Sequence, residues 1–103
     1  MFGLTAIAIA GPSMEPTLKS GEWWVVRRTR NVRPGQVIVF WHPLRTDLLT
    51  VKRVNHRRPA GWWVLGDNPE ASEDSRFFGA VDPAAVVGRL VLRYRPAVAL
   101  ART

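Results

Sequence analysis

Short runs of β-branched and aromatic residues, each closed by a turn former, recur along the whole chain. "EWWVVRR" (22–28) follows Gly21, and the turn "RPG" (33–35) precedes "QVIVFW" (36–41). "HPLRTD" breaks that run before "LLTVKRVN" (48–55), and "RRPAG" turns the chain into "WWVLGD" (62–67). The last run, "AAVVGRLVLRYRP", is strand-like by its β-branched content, with a helical turn open to Ala84–Val87. Runs of this kind between turn signals read as strands. Four or more of them in so short a chain predict a mainly β fold, a small closed or partly open β-barrel. A length of 103 residues supplies one core, so 1–103 is read as a single domain.

The N-terminal run "MFGLTAIAIA" is apolar but about half the roughly 20 residues that a bilayer span needs. It lacks the basic start of a secretory signal. Its alternation, Thr5, Ile7 and Ile9 against Leu4, Ala6 and Ala8, reads as a buried first strand, with an interfacial anchor as the weaker alternative. Cysteine is absent, which excludes a disulfide framework and a thiolate metal site. Two histidines alone argue against zinc, and no metal or cofactor is expected. The formal charge of +7, with thirteen Arg against two Lys, suits a polyanion or an anionic lipid surface. Trp23–Trp24 and Trp62–Trp63 are adjacent pairs, so within a strand one of each faces the core and the other a groove or a membrane surface.

Catalytic chemistry is suggested by "GPSMEPTL" (11–18), where Pro12 and Pro16 stiffen the backbone around one hydroxyl, Ser13. A serine hydroxyl attacks only when a neighbouring group takes its proton. His42, before Pro43, and His56, in "NHRR", have no obvious orienting carboxylate and read as surface histidines. Lysine is the other base. Lys19, in "LKSGE", reads as solvated. Lys52 lies mid-strand and by alternation shares a face with Leu48, Thr50 and Val54, where its ammonium would be desolvated. The competing reading is an edge-strand lysine that deters aggregation. In a chain that otherwise chooses Arg, which does not deprotonate usefully, that reading is weakened. The polar stretch "GDNPEASEDSR" reads either as a solvated loop or as one fixed by an Asp74–Arg76 ion pair.

These segments are similar to the conserved boxes of the type I signal peptidase family of Ser–Lys proteases. "GPSMEPTL" resembles its nucleophile box, "RPGQVIVFWHP" its second strand box, "VKRV" its lysine box, and "GDNPEASEDSR" with "FFGAV" its last box. The four stand in family order over residues 11 to 81. The resemblance implies the barrel of the signal peptidase catalytic core, with Ser13 as nucleophile and Lys52 as general base. It also implies that Ser72 hydrogen-bonds the lysine amine, that Asp74 and Arg76 brace the loop, that Asp67 and Asn68 shape the turn, and that Met14 sits beside the substrate groove. Gly11 stands where many bacterial members place an oxyanion-stabilising serine. That departure leaves the Ser13 backbone N–H as one oxyanion donor.

Two further departures from the family are plain. Family members carry membrane-spanning segments ahead of the nucleophile box, where this sequence shows ten apolar residues, and only 55–65 stand where a long insertion is usual. This shortened layout resembles the branch of the family that matures nickel-type superoxide dismutase. The resemblance implies a precursor polypeptide as partner, whose short N-terminal leader is removed, with nickel belonging to the product. It implies a cytoplasmic protein, with a peripheral membrane contact as an option and no nucleic acid as partner. Two other functions compete: a general signal peptidase without its anchor, and a small basic β-barrel that binds nucleic acid.

Overall fold

The computed structural model describes residues 3–101. One antiparallel sheet is built from β1 (Leu4–Ala8), β2 (Trp23–Arg28), β3 (Val37–Trp41), β4 (Leu49–Arg58), β5 (Gly61–Leu65), β6 (Val86–Arg95) and β7 (Ala99–Leu100). Its order is β1-β2-β6-β3-β4-β5, with β7 paired to β6. β1 and β5 are the two edges and do not pair, so the sheet curls without closing. A four-residue helix, α1 (Ser75–Phe78), and 3-10 turns at Pro69–Ala71 and Pro83–Ala85 lie between β5 and β6. The helical turn left open in the sequence is thus Pro83–Ala85.

β3 explains the layering. Its first four residues, Val37 to Phe40, are all buried, so both faces of this central strand are covered. Val37 and Val39 join Ile9, Met14, Leu18, Trp24, Val26 and Leu90 in one core. Ile38 and Phe40 join Val54, Val64, Val81 and Val86 in the other. The loop from Ile9 to Glu22 covers the first core, and the segment from Gly66 to Val86 borders the second. Gly88 is required where β6 crosses β2, because a Cβ there would overlap the Arg27 carbonyl oxygen.

Several expectations are corrected. β1 is not a buried strand: four of its five residues are exposed, and the inward anchor is Ile9 just beyond it. Only Ile7 of β1 packs against the first core. Met1 and Phe2 of the same run lie outside the described residues. β4 continues through "NHRR" to Arg58, because Arg57 and Arg58 pair with Trp62 and Gly61, leaving Pro59–Ala60 as the turn. Arg58 stacks over Trp63 with its guanidinium carbon 3.5 Å from the ring centroid. Trp23 and Trp24 divide as expected, 41% and 4% exposed, whereas Trp62 and Trp63 are both half-buried. β7 is unforeseen. Among the described residues, no helix is long and apolar enough to cross a membrane.

Candidate active site

The loop after β1 is closed at its neck, where the Ile9 N–H donates to the Glu22 carbonyl and the Gly21 N–H to the Ile9 carbonyl, both at 2.8 Å. Within it, Pro12 accepts from the Glu15 N–H at 3.0 Å, and Met14 from the Leu18 N–H at 3.0 Å. Met14 and Leu18 are each 2% exposed and anchor the loop in the first core. A second segment holds the loop from outside. The Asn68 N–H donates to the Ser13 carbonyl at 2.9 Å, its side-chain amide to the Pro12 carbonyl at 3.1 Å, and the Asp67 N–H to the Met14 sulfur at 3.4 Å. Ser13 is therefore held through its own carbonyl and that of Pro12, while its N–H has no partner among the described residues.

Lys52 reaches this loop from β4. It pairs with Ile38 across the β3–β4 ladder, is 5% exposed, and places its Nζ 2.9 Å from the Ser13 Oγ. β4 lies between β3 and β5, which removes the edge-strand reading of this lysine. Of the residues expected on its face, Val54 is buried, but Leu48 precedes β4 and is 39% exposed. Desolvation holds the Lys52 ammonium below its ordinary pKa, and the nearby carboxylates of Asp74 and Glu73 oppose that shift without cancelling it. A buried amine next to a hydroxyl, with part of its proton affinity removed, has the chemistry that accepting a hydroxyl proton requires.

The polar stretch after β5 is only partly a solvated loop. Ser72, Asp74 and Ser75 are buried, and Asp74 is 0% exposed. The Asp74 carboxylate accepts from the Arg76 Nε at 2.8 Å, Arg76 Nη2 at 3.0 Å, the Arg76 N–H at 3.2 Å and the Gly66 N–H at 3.0 Å. Burial would raise this carboxyl, but the hydrogen bonds from Arg76 and Gly66 and the Arg76 charge hold it below the usual carboxylate range. Ser72 donates to Asp74 Oδ2 at 3.3 Å; the bond to Lys52 that the family resemblance implies is not made.

Residues that sequence reasoning passed over complete the arrangement. Arg53, next to Lys52, makes a two-point contact with Asp67, at 2.9 and 2.8 Å, and donates to the Gly35 carbonyl at 2.6 Å. Burial pushes the Asp67 carboxyl up, and hydrogen bonds from Arg53 and Thr17 more than reverse it. Ser75 accepts the Val64 N–H at 2.8 Å and ties the loop to β5. Gly66 has no room for a side chain: a Cβ there would overlap the Ser72 Oγ and come within 2.8 Å of the Ser13 carbonyl oxygen. In the sequence Gly66 was visible only as the residue before Asp67. Gly11, with φ of 81°, has nothing within 4 Å of a would-be Cβ, so the space beside it is open. His42 is not a surface residue. It is 8% exposed, its Nδ1 accepts from the N–H groups of Leu44 and Arg45, and its ring meets Phe78 edge-on at 4.7 Å. Burial, then the Arg45 charge, lower its pKa. His56 is held by Asn55 and Arg58 away from Ser13.

Residues 3–91 match the model of the Peptidase S24-like family. The chain belongs to that family. Among curated relatives, signal peptidase IB of Staphylococcus aureus is 29% identical over 154 residues, covering 92% of this chain and 80% of that protein. The alignment is longer than the 103 residues of this chain, so the relative carries inserted residues that this chain lacks. Mitochondrial inner membrane protease subunit 1 of Xenopus tropicalis is 30% identical over 114 residues, covering 87% of this chain and 68% of that protein. Membership makes this a signal-peptidase-like serine peptidase, a hydrolase of polypeptides.

Proposed function

We propose that this peptidase uses Ser13 as nucleophile and Lys52 as general base to remove a short N-terminal leader from a precursor protein. The observation that carries the reading is the 2.9 Å approach of a buried, destabilised amine to the Ser13 hydroxyl. Neutral Lys52 takes the Oγ proton as Oγ bonds to the scissile carbonyl carbon. The Ser13 N–H faces the developing oxyanion. The Lys52 ammonium then gives its proton to the leaving amine, and water, deprotonated by the same lysine, releases the acyl group. Ser72 and Asp74 act as positioning groups on the lysine side, and Asp67, Asn68, Met14 and Arg76 as braces for the two segments.

The proposed precursor is that of nickel-type superoxide dismutase, a reading supported by the short layout between Lys52 and Asp67. In this reading the enzyme works in the cytoplasm. A peripheral membrane contact would use Trp41, Leu44, Leu48 and Leu49 around the β3–β4 turn, all exposed. A second reading, a general signal peptidase, is favoured by the likeness to signal peptidase IB. Competition between two synthetic substrates, one spanning the dismutase leader junction and one a secretory signal junction, decides between them. Faster cleavage of the secretory peptide would overturn the dismutase assignment. Cleavage undiminished in Lys52→Met would overturn the dyad.

A further inference from the structure

An apolar cleft of about 420 Å³ lies beside the segment that follows Ser13. It is lined by the buried Trp24, Val37 and Leu90, by Thr17 and Leu18 of the loop after β1, and by Ala99 and Leu100 of β7. Arg93 also lines it. The guanidinium spends Nη1 on Glu22 at 3.2 Å and Nε on the Ala97 carbonyl at 2.8 Å, which leaves Nη2 without a partner among the described residues. A cleft with a mostly apolar lining and a guanidinium among it has the composition of a ligand subsite.

Its walls connect it to the catalytic groups. The Leu18 N–H bonds to Met14, the residue after Ser13, at 3.0 Å. Thr17 hydrogen-bonds to Asp67, which Arg53 holds from the position next to Lys52. β1 is an exposed edge strand that runs directly into the Ser13 loop, so a leader lying along it approaches the nucleophile from that side. The residues that follow Ser13, from Met14 to Leu18, link it to the cleft, which Pro16, Thr17 and Leu18 line.

We propose that this cleft receives the part of the precursor downstream of the cut. An apolar side chain a few residues after the scissile bond enters over Trp24 and Leu90. A main-chain carbonyl or a carboxylate beside it meets Arg93. This inference rests on the leader-peptidase reading and names the product-side specificity of the same enzyme.

Two measurements test it. The first is binding of the downstream peptide alone, with a single leucine walked through each position of a Gly/Ser background, to the Ser13→Ala protein by calorimetry. Affinity peaks with leucine at one position and falls about 10-fold in Ala99→Trp, which fills the cleft, or in Leu100→Asp, which makes its lining anionic. The second compares junction substrates with long and short downstream portions. The long form has the lower KM, and Ala99→Trp removes that advantage while leaving kcat/KM for the short form unchanged. A flat leucine scan, or binding unaltered in both variants, would overturn the proposal. Failure to cleave either form would sink the peptidase reading instead, and the binding measurement still decides what the cleft holds.

Discussion

Replacing Asp74 by Asn removes one oxygen and one charge from a position with no solvent exposure. The amide oxygen can take the place of Oδ1 and still accept from the Arg76 N–H and Nε. Its NH2 then faces the Gly66 N–H and Arg76 Nη2, both donors, where Oδ2 accepted them. The Ser72 hydroxyl rotates away, and Arg76, 45% exposed, recovers water in place of its lost bond. What is left is one partly buried N–H without an acceptor, about 1–3 kcal/mol, plus a solvent-discounted loss of charge assistance. The expected total is about 2–3 kcal/mol, or roughly 10–20 °C in Tm for a domain of this size. Denaturant and thermal unfolding in a Ser13→Ala background measure it without self-cleavage. The same substitution acts oppositely on the base. Asp74 raises the Lys52 pKa, so its neutralisation moves the rising limb of the pH–rate profile to lower pH even as the rate falls. The wild-type Asp74 contribution to stability is present above the unfolded carboxylate pKa and lost as pH falls through the lowered folded value, so the variant shows a flatter acid limb. A stability change under about 0.5 kcal/mol would refute the hydrogen-bond account, since that is the range of an uninvolved surface substitution. A limb displaced to higher pH would refute the electrostatic one.

Lys52→Met should be inactive yet more stable than wild type at neutral pH. The lowered folded pKa means that the unfolded chain binds the lysine proton more tightly, so the penalty applies at pH 7 and fades as pH rises toward 10.5. Thermal unfolding of variant and wild type at neutral and alkaline pH checks that their gap narrows. Gly66→Ala should cost about 1–3 kcal/mol by overpacking against Ser72. It should also slow single-turnover cleavage on the order of 100-fold, because the displaced atom is the Ser13 carbonyl. Ser75→Ala should destabilise the fold by about 1–3 kcal/mol, read by urea denaturation, because the buried Val64 N–H loses its acceptor. Ser72→Ala should leave Tm nearly unchanged and lower kcat, as measured in single turnover.

What the sequence made legible was local. Strand runs, a reversal after "NHRR" and the division of Trp23 and Trp24 between two faces follow from period and turn chemistry, which neighbouring residues decide. The proximity of Ser13 and Lys52, 39 positions apart, rested on family likeness and on one lysine standing among apolar strand residues. The misread positions are those whose environment is set by elements far away in sequence. β1 alternates like a buried strand, but it pairs with β2 alone and only Ile7 of it packs against the first core, which leaves it outside. His42 looked exposed because it precedes Pro43 in a polar turn. Phe78, from a helix beyond β5, covers it, and the N–H groups of Leu44 and Arg45 satisfy its Nδ1. The position of Ser72 in the polar stretch did not reveal whether its hydroxyl serves Lys52 or Asp74. That choice depends on Gly66, whose missing side chain lets the Ser13 loop and the Ser72 segment meet at all. A glycine in that role leaves no chemical signal of its own. Its importance is visible only when the two segments it admits are seen in contact, which is why a catalytic arrangement can be named from its reactive residues while the residue that makes room for it goes unremarked.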